Sequence, residues 1–141
     1  MLLDSAPLAD ALTLRHWSKI WSTYALLDPS YADKASFGFW IDVGNGCSFL
    51  LPSLMMNLVI SIDSGLPPRL VALCCVVFNY VMLHGTVLYF CSYVLNQRYR
   101  GCTRAGVAVV ILANGLWVAF PALAIYSCTD VVLRGSWQIF D

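Results

Sequence analysis

The chain has 141 residues, of which 60% are hydrophobic and 11% charged, and its eight basic and eight acidic side chains cancel to zero formal charge. Ordinary soluble domains are about 45–50% apolar and about 25% charged, and a small fold has a large share of its residues at the surface. The composition therefore excludes a soluble globular enzyme, a disordered chain and a nucleic-acid binder with a basic patch. It leaves an all-α integral membrane protein of one domain.

Residues 1–35 are the least apolar part. Asp4, Asp10, Arg15 and Lys19 keep the beginning of this segment from being a span, and no basic stretch precedes an unbroken apolar core as in a secretory signal. Leu8, Leu12, His16 and Ile20, and beside them Leu3, Leu14, Trp17 and Trp21, sit at helix-like spacings. This spacing predicts an amphipathic helix over 8–24, lying on a membrane surface or against a partner; a poorly ordered tail is the alternative.

Three apolar runs follow, each long enough for the roughly 20 residues that a span requires. The first goes from about Ser36 to Ile60 with one charge, Asp42; the second, from about Leu70 to Leu95, has His84 and no charged residue; the third, from about Ala105 to Thr129, has neither. Gly65, Pro67 and Pro68 mark the first connection as a turn, and the second, 96–104, holds Arg98, Arg100 and Arg104. The expected architecture is three transmembrane helices within 36–133, preceded by the amphipathic segment and followed by a short tail, 134–141. Arg15, Lys19, Lys34, Arg98, Arg100 and Arg104 lie on one side of such a bundle against Arg69 and Arg134 on the other, which puts the N-terminus on the cytosolic or matrix side. Five of the six cysteines fall inside spans, without a C-x-x-C pair. They suggest neither a disulfide framework nor a metal site.

Polar groups inside spans are functional candidates. Asp42 has Asn45 on its helical face and Gly44 and Gly46 beside it. It is either a proton donor or acceptor in a pocket, or a carboxylate that bonds a neighbouring helix. Tyr80 and His84 share a face of the second span, His84 being either a candidate base or a packing residue. Asn114, Trp117 and Pro121 fall on one stripe of the third, where Pro121 frees a carbonyl and is expected to kink the helix. The expected lipid or ligand pocket is Asp42, Asn45, Tyr80, His84, Asn114 and Trp117, with Asp42 and His84 the candidate catalytic groups. No cofactor is expected.

Three collinear motifs give the chain a likeness. Trp21, Tyr24, Ala25, Asp28, Tyr31 and Phe37, with Asp42 after them, resemble a W-x-x-Y-A-x-x-D-x-x-Y stretch that leads into a span bearing a catalytic Glu. Gly85-Thr86-Val87-Leu88-Tyr89-Phe90 resembles G-D-V-L-Y-F, and Asn114, Leu116, Trp117 and Pro121 resemble N-x-L-W-x-x-x-P. Together they are similar to the emopamil-binding protein family, membrane sterol isomerases of the EXPERA class, over roughly residues 17–130. The resemblance implies an earlier span bearing a His and a Glu one turn apart, whose place by spacing falls ahead of Met1. The site Glu is shortened here to Asp42, and the Asp of G-D-V-L-Y-F is Thr86. Shifting a ring double bond takes an acid and a base at fixed separation and an aromatic face for the cation between them. With one carboxylate left, the first reading is a non-catalytic subunit of a larger membrane assembly, with other membrane subunits as partners and a membrane lipid or sterol in the old pocket. The second is a sterol isomerase whose missing His/Glu span is supplied elsewhere. The compartment stays open between the endoplasmic reticulum and the mitochondrial inner membrane.

Overall fold

The computed structural model describes residues 13–62 and 65–137. Residues 8–12 of the expected N-terminal helix and the end of the 134–141 tail lie outside the described residues. The first element, α1 (Leu14–Ala25), begins at Thr13, whose hydroxyl accepts the His16 amide at 3.2 Å. A 3₁₀ turn, Pro29–Tyr31, comes next, capped by Asp28, which accepts the Ser30 amide at 3.0 Å. Ser36 caps α2 (Phe37–Ser61) through the Phe39 amide at 3.1 Å. The Pro67-Pro68 pair opens α3 (Pro68–Leu95), where a first-turn proline sacrifices no helical hydrogen bond. Thr103 caps α4 (Arg104–Arg134) through Gly106 at 3.1 Å, and α4 continues without a break through Pro121. Among the described residues there is no strand.

The three apolar runs thus fold into three helices where the sequence places them. Two of these, α3 and α4, are long and apolar enough to cross a membrane, with mean hydropathies of 1.9 and 2.1 over their most apolar stretches. Of those stretches only 28% and 17% are buried within the chain. The helix α2 has a comparable length, about 37 Å at 1.5 Å per residue, and is mostly apolar, with Asp42 its one charged residue.

The helices α3 and α4 are an antiparallel hairpin. At one end Ala72 and Cys75 pack on Cys128 and Val131; at the other Tyr89 and Tyr93 pack on Val110. The helix α2 lies antiparallel along α3. Ile41 presses on Gly85, where a Cβ would stand 2.8 Å from the isoleucine Cδ1. Phe49 meets Phe78 edge to face at 5.8 Å, and Met56 covers the Ala72–Cys75 cluster. Among the described residues α2 and α4 do not pack on each other, so a gap floored by α3 stays between them.

Gly135 closes α4 in the left-handed region, φ 77°, and donates to the Val131 carbonyl at 2.7 Å. A side chain there is strained in its backbone, and its Cβ would stand 3.0 Å from Arg69 Nε. Gly135→Ala should lower the unfolding free energy by about 1–2 kcal/mol, measured by unfolding of the purified protein in mild detergent; an unchanged midpoint would refute this.

Candidate functional site

The gap between α2 and α4 is a cavity of about 590 Å³. Asp42, Asn45 and Phe49 reach it from α2, because residues three and four apart share a helix face. Met82, Thr86 and Tyr89 form its floor on α3, and Asn114 and Trp117 its far wall on α4. Trp17, Ile20 and Tyr24, one stripe of α1, close one end together with Tyr31.

Four of the six expected pocket residues, Asp42, Asn45, Asn114 and Trp117, line this one space. The other two do not. Tyr80 and His84 are exposed on the outer side of α3, their rings stacked at 5.9 Å and 17°. The cause is the helix period: at about 100° per residue, His84 is turned about 200° from Met82 and from Thr86, both of which face the cavity. The imidazole therefore cannot serve as a base for Asp42.

Asn114 organises the closed end. Its amide donates to Tyr24 Oη at 2.5 Å and to its own helix at Val110 O, 2.9 Å, while Tyr31 Oη donates to its carbonyl at 3.2 Å. The Tyr24 and Tyr31 rings meet edge to face at 5.0 Å. Burial raises the pKa of both phenols above the ordinary value near 10; for Tyr31, the negative charge that ionised Tyr24 and Asp42 place nearby adds to the effect. They therefore act as neutral hydrogen-bonding groups. Among the described residues no hydrogen bond to Asp42 is found, although its side chain is half-buried.

Behind the tyrosines lies a charged pair that was not singled out from the sequence. Asp28 is fully buried. Arg98, in the turn after α3, reaches it at 3.2 Å with its own side chain 14% exposed. Tyr89 Oη also donates to the carboxylate, and Arg98 donates to Ser30 Oγ and, at 2.5 Å, to Ser92 Oγ. The guanidinium lies 5.4 and 5.8 Å from the Tyr89 and Tyr93 ring centres. In the sequence Asp28 stands in the aromatic motif and Arg98 counts as an orientation charge; nothing local joins them. Among the described residues no cluster of three metal-ligating side chains occurs.

No family model matches the chain, and comparison with curated proteins and with solved structures finds no match.

Removing one partner of a buried ion pair leaves the other charge without compensation, at about 3–5 kcal/mol. Asp28→Asn should destabilise the protein by that order, and the double variant Asp28→Asn/Arg98→Met should recover part of the loss; a double variant no better than the single would contradict this account. The tyrosines set a second expectation. Their folded pKa values lie above those of the unfolded chain, so above about pH 10 the unfolded state releases its phenolic protons first. Stability should then hold up to about pH 9 and fall as the pH rises further. A stability curve still flat at pH 11 would rule this out.

Proposed function

We propose that the chain is a non-catalytic subunit of a membrane assembly, held by three spans α2, α3 and α4, with α1 as an amphipathic cover, and that its cavity holds a membrane lipid or sterol. The observation that carries this reading is the cavity itself. Its volume, about 590 Å³, lies within the roughly 300–1,000 Å³ of small-molecule sites. Its walls are largely aliphatic and aromatic, with a few convergent polar groups, and among the described residues Asp42 is the one charged side chain lining it. Membrane embedding is supported by the outward apolar surfaces of α3 and α4: a core helix of a soluble protein buries most of its surface, and these bury less than a third.

Kinship with the emopamil-binding protein family is part of the proposal. It is supported by where the motif residues meet. Tyr24 and Tyr31 of the first motif bond Asn114 of the third, and Asp28 of the first accepts from Tyr89 of the second. The isomerase alternative draws on Asp42 and Trp117 sharing one cavity. Among the described residues it lacks a base there, since no His, Lys or second carboxylate of theirs lines the space, and a positioned acid or base is worth about 10²–10⁴-fold in rate.

Native mass spectrometry of the protein extracted in mild detergent should reveal bound membrane subunits and a bound lipid. Trp117→Ala should reduce the lipid occupancy without releasing the subunits, and the isolated chain should not convert sterols. A purified chain that isomerises a sterol, and loses that activity in Asp42→Asn, would reverse the choice of reading.

A further inference from the structure

The α3–α4 hairpin brings two thiols together at the end away from the tyrosine cover. Antiparallel packing sets Ala72 and Cys75 of α3 against Cys128 and Val131 of α4, all four buried in one cluster. The thiols of Cys75 and Cys128 face each other across this contact, near enough to interact directly. Ala72, one turn before Cys75, has a side chain small enough to let the two helices close up at this level. Cys47, Cys74 and Cys91 are exposed, and Cys102 donates to the Arg98 carbonyl at 3.4 Å. Cys75 and Cys128 are thus the one buried pair among the described cysteines. Cys75 stands about two turns inside the start of α3 and Cys128 about two turns before the end of α4. That is the end bearing Arg69 and Arg134, which the distribution of Lys and Arg sets away from the cytosol or matrix.

We propose that Cys75 and Cys128 are a redox pair that closes as a disulfide between α3 and α4. The geometry of the pair stands by itself; the side on which it closes rests on the membrane reading above. Disulfides form and persist in oxidising compartments, and the end of the hairpin that holds this pair is the one turned toward such a compartment. The oxidant is a hydroperoxide, small and uncharged enough to enter an apolar interface. It converts one thiol to a sulfenic acid as its O–O bond breaks, leaving as water or an alcohol. The second thiol's sulfur then attacks the sulfenic sulfur, the S–S bond forms, and a second water carries off the hydroxyl and the remaining proton. A soft metal ion fits the place less well. Two thiolates around a monovalent ion carry a net negative charge, and Met56, Val76, Val132 and Trp137, which pack on the cluster, are apolar. Among the described residues no third ligand joins the pair, whereas a disulfide is neutral. Once closed, it ties the first turns of α3 to the last turns of α4 and narrows the freedom of the unfolded chain.

The test uses the full chain in membranes treated with hydrogen peroxide, washed with alkaline carbonate, unfolded in detergent with excess maleimide, and then reduced and labelled with a polymer-bearing maleimide. Two of the six thiols should escape the first reagent and take the second. Both labels should be lost in Cys75→Ala and in Cys128→Ala, and equally in Cys75→Val, which keeps the side-chain volume; both should remain in Cys74→Ala and Cys91→Ala. Peroxide should also raise the thermal unfolding midpoint of the purified chain, and leave that of Cys128→Ala where it was. A chain released by carbonate yet carrying the two protected thiols would overturn the membrane reading and uphold the pair. A retained chain whose six thiols all react before reduction, or whose protected thiols persist in Cys75→Val, would overturn the pair alone.

Discussion

A carboxylate with no exposure to solvent cannot stay charged in an apolar bundle unless a cation reaches it, and Asp28 is in that position. The cation comes from Arg98, 70 residues further along. Their contact pins the 3₁₀ turn to the end of α3, and Ser30, Ser92 and Tyr89 fill the remaining hydrogen-bonding positions. With the turn fixed, Tyr24 on one side of it and Tyr31 at its end stand over Asn114. The cover of the cavity is thus a consequence of an ion pair that does not itself line the cavity. Its desolvation cost is large and its net contribution to stability small. What it confers here is a single placement for the segment that joins α1 to α2.

The second constraint is the helix period. Each of α2, α3 and α4 is apolar nearly all round, so the choice of inward face falls to small and polar side chains. Gly85 admits Ile41 and brings α2 against α3. Once that contact exists, Thr86 and Tyr89 must face the same gap as Asp42 and Asn45. Asn114 is one helical turn from Trp117, and both follow from the opposite wall.

That logic explains what the sequence discloses and what it hides. The three helices were legible because unbroken apolar runs have few other solutions, and their ends because Ser36, Thr103 and the Pro67-Pro68 pair are strong local signals. Asp42, Asn45, Asn114 and Trp117 were legible as candidates because polar groups in apolar helices tend to share an interior. Tyr80 and His84 obey the same rule locally, yet a one-helix pattern cannot tell which of two apolar faces is the inner one; the Ile41–Gly85 contact decides it. Asp28 and Arg98 were opaque for a different reason. Each alone reads as an ordinary surface charge, and their meaning arises only when the chain brings them together.

The cavity is polar at one end and mostly apolar at the other, and the antiparallel packing shows why. Ile41 lies level with Gly85 and Phe49 with Phe78, so Asp42 and Asn45 belong to the same end of the bundle as Thr86, Tyr89 and the tyrosine cover. Phe49, Leu50 and Met82 extend the cavity toward the middle of the helices. In the membrane reading proposed here, the polar end is the one nearer the surface on which α1 rests, and the apolar end lies deeper. An amphiphile in the bilayer has the same polarity, its head at the surface and its body below. Such a ligand would enter without turning over and without carrying its polar group through hydrocarbon, whereas a ligand polar at both ends would find, beside Phe49 and Leu50, only the Ser53 hydroxyl among the described residues to bond its second polar group.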